Sequence, residues 1–148
     1  MIYRKAKSRW FTKTVLALVI SLTTFTIGSA QNSNKVRRSY GSYGYIDKSG
    51  SCIIRGQFAQ AKDFSSGLAA VRIGHKWGFI SYAGKFVVKA RYDEAGTFSE
   101  GKAGINLDGK WGYINRYGRI VVKNVYEKAY GFSNGLAGVR FSQKWGFI

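Results

Sequence analysis

Apolar and polar residues alternate in short runs along most of this chain, and the runs return at a fixed interval. Ala69, Val71 and Ile73 alternate with Leu68, Ala70 and Arg72. The pattern returns at Ala103, Ile105 and Leu107, and again at Ala137, Val139 and Phe141. A period of two predicts β-strands with one apolar wall turned to a core, not amphipathic helices. A short turn follows each run, Gly74-His75 in one place and Asp108-Gly109 in another. Asp-Gly suits a tight hairpin because glycine tolerates positive φ. The next strand reads Lys76-Trp77-Gly78-Phe79-Ile80. Trp77 and Phe79 share one face of it, and the glycine between them leaves the other face bare for a close neighbouring backbone. After a second turn, marked by Gly50, Gly84 and Gly118, a third apolar strand reads Phe86-Val87-Val88, echoed by Ile53-Ile54 and Ile120-Val121-Val122.

The interval is 34 residues: Trp77-Gly78, Trp111-Gly112 and Trp145-Gly146 are so spaced, and Tyr43-Gly44 holds the same slot one step earlier. Whole rows coincide when the chain is slid by that length. Phe64, Phe98 and Phe132 share a slot and each opens a Phe-Ser-x-Gly turn; Ala61, Ala95 and Ala129 share another. A 34-residue period also occurs in helical tetratricopeptide repeats, but the alternation within each copy excludes helices. The expected fold is all-β: an open stack of three-stranded antiparallel meanders across residues 43–148, with linkers of about a dozen residues. One meander buries too little surface to stand alone, and the copies are too few to close a propeller ring.

The unit Gly-Leu-Ala-Ala-Val-Arg…Lys-Trp-Gly-Phe-Ile…Gly-Lys-Phe-Val-Val…Phe-Ser-Glu-Gly resembles the WG-repeat family of bacterial proteins. That resemblance implies a non-catalytic repeat scaffold, exported or attached to other domains, and it implies architecture far better than ligand. Two features depart from the family pattern. Arg55, Lys89 and Lys123 occupy the slot after the aliphatic strand where the family usually carries proline. The chain also stops at Ile148, directly after Trp-Gly-Phe-Ile, so the last repeat is incomplete, which suggests a truncated product or a fragment.

Residues 1–30 read differently. Arg4, Lys5, Lys7, Arg9 and Lys13 precede an apolar run from Val15 to Ile27 that closes on Gly28-Ser29-Ala30. This is the layout of a helical secretory signal peptide, cleaved after Ala30 to expose Gln31. The run is short for a membrane span, so membrane contact is expected only in transit. Residues 31–42 form a flexible basic lead-in. The expected destination is the periplasm, the cell surface or the medium.

Charge narrows the partner class. The whole chain carries a net +17, and the part after residue 30 retains +12. Such a chain favours polyanions. Two basic rows recur: Lys76, Lys110 and Lys144 before each tryptophan, and Arg55, Lys89 and Lys123 at the end of the third strand. In a stack these rows form ladders beside Trp77, Trp111 and Trp145. Cations beside aromatic rings can hold phosphates, sugars or bases, although the indoles are equally placed to build the core. The expected partners are an anionic envelope polymer or a protein pairing with a sheet edge, with nucleic acid a third reading.

Catalytic chemistry finds no support. His75 aligns with Gly109 and Gln143 and reads as a turn residue. Cys52 aligns with Phe86 and Ile120 and reads as a buried packing thiol; being single, it forms no internal disulfide. Asp63 aligns with Thr97 and Gly131, and Glu100 with Ser66 and Asn134, so spacing nominates no carboxylate pair of the kind glycosidases need. The row Ser65, Ser99 and Ser133 suits turn starts. No enzyme activity, cofactor or metal is expected.

Overall fold

The computed structural model describes residues 4–7 and 43–148. Arg4–Lys7, expected in the basic head of the signal peptide, forms strand β1. The remainder of that segment, its cleavage point at Ala30-Gln31 and the lead-in lie outside the described residues.

Among the described residues fourteen strands form four antiparallel sheets in which chain neighbours are sheet neighbours. The first sheet contains β1, β2 (Tyr43–Ile46) and β3 (Cys52–Phe58). The second contains β4 (Gln60–Ala61), β5 (Leu68–Ile73), β6 (Lys76–Ser81) and β7 (Phe86–Tyr92). The third repeats it as β8 (Glu94–Ala95), β9 (Lys102–Leu107), β10 (Lys110–Asn115) and β11 (Ile120–Tyr126). The fourth contains β12 (Lys128–Ala129), β13 (Gly138–Phe141) and β14 (Lys144–Phe147). The three expected long strands are present, but the expected linker is not structureless. It contributes a two-residue strand that pairs with the next long one, Ala61 opposite Val71 and Ala95 opposite Ile105.

The Phe-Ser-x-Gly segment is a two-residue hairpin turn. Ser65 and Leu68 exchange backbone hydrogen bonds of 2.9 and 3.1 Å. Ser66 and Gly67 both take positive φ, 53° and 83°, as do Glu100-Gly101 and Asn134-Gly135. Such a turn matches the twist of antiparallel strands. The Asp108-Gly109 turn does the same, with φ of 52° and 77°.

Three hydrophobic cores lie between successive sheets. Tyr45, Ile54 and Phe58 of the first pack on Ala61, Ala69, Val71 and Ile80 of the second. Leu68, Ala70, Phe79 and Val88 of the second pack on Ala95, Phe98, Ala103 and Ile105 of the third. Tyr113 of the third packs on Phe132, Ala137 and Val139 of the fourth. Among the described residues no core joins the first sheet to the last. The expectation that β5 keeps one face wet is therefore corrected. Leu68 and Ala70 are buried on one side and Ala69 and Val71 on the other, because an inner sheet has a neighbour on both faces. The apolar row instead fails at its far end, where Ile73 and Phe141 are exposed.

Candidate functional site

The Trp-Gly strand and the strand after it set the local geometry. In β6 and β7, Trp77 pairs with Tyr92 and Phe79 with Val88, so Lys89, Ala90 and Arg91 bulge out opposite Gly78 alone. The other copies share this bulge, between Trp111–Tyr126 and Tyr113–Val122, and between Tyr43–Phe58 and Tyr45–Ile54. Glycine is required there. A Cβ on Gly78 would stand 2.6 Å from Val88 O and 2.7 Å from Ala90 N, and one on Gly112 would stand 2.6 Å from Val122 O. The close backbone approach expected from the sequence is thus present, and the bulge makes it. Arg55, Lys89 and Lys123 are exposed and each begin a bulge, opposite Gly44 of Tyr43-Gly44 for Arg55 and opposite Gly78 and Gly112 of the Trp-Gly pairs for the two lysines.

The second basic row is also exposed, but its members are not equivalent. Lys76 Nζ is bound to Asp93 Oδ1 at 2.5 Å. Asp93 Oδ2 also accepts the amide of Asp108, at 2.9 Å, so this carboxylate ties one repeat to the hairpin turn of the next. The Lys76 hydrogen bond and the Asp108 amide hold the Asp93 carboxyl below its ordinary range. Glu127, one repeat along, works similarly: it pairs with Arg140 Nε at 2.9 Å and accepts the amide of Gln143 at 3.3 Å. Asp93 and Glu127 are 34 residues apart, so their shared slot was visible in the sequence and is structural. Lys110, Lys144, Arg55, Lys89 and Lys123 form no ion pair with the described residues.

The three indoles have three different surroundings. Trp77 is buried, 8% exposed, with Lys62 Nζ lying 5.3 Å from its ring centroid. Trp111 is half-buried. Trp145 is 53% exposed and stacks on Tyr130, the ring centroids 5.4 Å apart and the planes 12° from parallel. Lys62 and Tyr130 belong to one slot, whose middle member is Gly96.

The remaining candidates, His75 and Cys52, lie at the surface. His75 is an exposed residue of the β5–β6 turn, as expected. Cys52 corrects the reading of a buried thiol: it is exposed, as are its slot-mates Phe86 and Ile120. That row begins the outermost strand of each of the first three sheets, where among the described residues no further strand pairs with it. Among the described residues no cluster of His, Cys, Asp and Glu could hold a metal ion.

The serine row does more than start turns. Ser65 Oγ donates to Phe98 O at 2.6 Å, and Ser99 Oγ donates to Phe132 O at 2.7 Å. Each serine therefore stitches its turn to the same turn one repeat later. Phe79 meets Phe98 edge-on at 5.0 Å and Tyr113 meets Phe132 at 4.9 Å, so each Phe-Ser-x-Gly ring fills the face beneath the preceding Trp-Gly strand. The Tyr113 hydroxyl donates to Tyr130 O at 2.7 Å, and burial followed by the charge of Tyr126 pushes it up to about 12.

The comparisons with known proteins agree with this internal repetition. The family model described as "WG containing repeat" matches residues 43–77, 77–111 and 111–145 in succession. No curated protein and no solved structure matches the chain.

Proposed function

The chain belongs to the WG-repeat family, and on that footing we propose an exported, non-catalytic β-repeat binding module of the bacterial cell envelope that contacts an anionic polymer. The observation that carries this reading is the row Arg55, Lys89 and Lys123: exposed, without ion pairs to described residues, and held at one-repeat intervals on bulged strands. Lys110 and Lys144 add to the same field, while Lys76 is engaged by Asp93. A positive field spaced along a stack suits a repeating anionic chain better than a single small ligand. The layout of residues 1–30 supports export.

The test is retention on purified teichoic acid across a salt series, for the wild type and for Arg55→Gln/Lys89→Gln/Lys123→Gln. Binding should fall steeply with salt, and the triple variant should bind at least tenfold more weakly. Salt-insensitive retention, or equal retention of the variant, would remove the mechanism. Preferential displacement by duplex DNA would move the assignment to nucleic acid. A second reading, docking of a protein partner, is favoured by the apolar row Ile53, Val87 and Val121, exposed on the outermost strand of each sheet. Neutralising the basic row would leave that interaction intact.

A further inference from the structure

The slot that covers the indole changes from copy to copy. Lys62 lies over Trp77 and Tyr130 stacks on Trp145, but the equivalent residue over Trp111 is Gly96. A cleft of about 250 Å³ has Trp111 and Gly96 in its wall; one of similar size lies beside Trp77, but there the Lys62 ammonium already sits at the indole. Lys62, from the slot one copy earlier, and Tyr130, from the slot one copy later, also line the Trp111 cleft, as do Glu94 and Thr97. We propose that this cleft is a binding site for a single pyranose ring of a glycan.

The chemistry favours a sugar. Among the described residues Trp111 is the one indole whose slot-mate is glycine, and the ring of Tyr130 already has Trp145 stacked against it. A pyranose presents one face of C–H groups to an aromatic ring and directs its hydroxyls outward. Glu94 and Thr97 supply acceptors and a donor among the lining residues to meet them, while the Lys62 ammonium is held by Ala95 O at 2.7 Å. A nucleotide phosphate gains little here, because the Glu94 carboxylate offsets the Lys62 ammonium in the same lining. The volume accommodates one small ring rather than a larger ligand. The site uses an indole and neutral hydroxyls, so it goes beyond the basic rows and can fail or succeed independently of them.

The slot also supplies its own test. A Cβ on Gly96 would meet nothing closer than Gly104 O at 3.5 Å, an ordinary contact. The same slot already holds lysine and tyrosine elsewhere in the stack, so Gly96→Lys and Gly96→Tyr should fold and fill the cleft. The probes are N-acetylglucosamine and methyl glucoside, both uncharged, titrated while the indole N–H signals are followed by NMR. A ligand of about a dozen heavy atoms should bind in the millimolar range. The expected result is a saturable shift of the Trp111 signal that persists at high salt. Both Gly96 variants should weaken it at least tenfold with the fold intact, and Glu94→Gln should weaken it severalfold. No saturable shift at about 50 mM sugar, or a shift unaltered in Gly96→Lys, would overturn the proposal. A response to adenosine monophosphate with none to either sugar would overturn it equally. Because the probes are neutral, their failure would leave the polyanion reading standing, and failure of teichoic acid binding would leave this site standing.

Discussion

Replacing Gly78 by alanine tests the central contact of the repeat. The new Cβ would stand 2.6 Å from Val88 O and 2.7 Å from Ala90 N. A carbon normally approaches a carbonyl oxygen to no less than about 3.3 Å, so the backbone must retreat by about 0.7 Å. Both obstructing atoms are main chain and belong to a bulge pinned on either side by the pairs Trp77–Tyr92 and Phe79–Val88. Overpacking of this kind costs about 1–3 kcal/mol. The loss of chain entropy that alanine spares the unfolded state offsets about 0.4–1 kcal/mol. The net cost should be about 1 kcal/mol, or roughly 5 °C in midpoint for a folded unit of this size. Gly146 provides the control, because no atom lies within 4 Å of a Cβ built on it. Gly146→Ala should change stability by less than about 0.5 kcal/mol. Thermal and urea unfolding followed by circular dichroism compare the two. Equal midpoints for Gly78→Ala and Gly146→Ala would show that close approach of the bulged strand is not why the glycine is there.

Three further measurements probe the contacts between repeats. Ser99→Ala removes the 2.7 Å bond to Phe132 O and should cost about 1 kcal/mol in denaturant unfolding. Tyr113→Phe, which copies Phe79 from the same slot one repeat earlier, should cost a similar amount at neutral pH. The raised folded pKa of Tyr113 means its stabilisation is complete below the ordinary tyrosine value of about 10 and is lost as pH climbs towards about 12. The stability gap between wild type and Tyr113→Phe should therefore close across that window; a constant gap would refute the assignment. Ser142 and Gln143 take positive φ, 46° and 63°, without a glycine between them. Copying the neighbouring turn as Ser142→Asp/Gln143→Gly should stabilise the β13–β14 hairpin by about 1 kcal/mol, read as slower amide exchange in those strands.

Much of the architecture was readable because the repeats align with one another. The turn glycines, the apolar rows and the bare face of Gly78 each recur at one interval, and local chemistry explains each. What escaped reading depends on how copies meet. The burial of Ala70 and its slot-mate Gly104 signals a second close neighbour, but small residues on a strand point equally to a thin, wet face. The pair Gln60–Ala61 is too short to show a period, so the fourth strand passed for linker. Cys52 aligned with bulky apolar residues and so read as buried; the whole row turned out to lie on an outermost strand. The shared slot of Asp93 and Glu127 was there to be found by sliding the chain, and its role in fastening the next turn needed coordinates.

A buried row repeated in every copy serves what every copy needs, which is the stack. A slot that varies while the backbone stays the same is free to serve something else, and the two cases separate experimentally at the tryptophans. Trp77 is 8% exposed and belongs to a core with Phe79, Tyr92 and Phe98. Trp77→Ala should cost about 3–5 kcal/mol, as large-to-small changes in a core do. Trp145 is 53% exposed, and Trp145→Ala should cost about 1 kcal/mol through its stack on Tyr130. Trp111, half-buried beneath the glycine of the covering slot, should fall between them in unfolding experiments. In sugar titration read from saturation transfer to the sugar's own signals the order should differ: Trp111→Ala should abolish binding, while Trp145→Ala, with the cleft's indole intact, should retain it. If binding losses instead followed burial, with Trp77 dominant and Trp111 unremarkable, the indoles would be stack-builders throughout, and the glycine at residue 96 would be only a gap in a row.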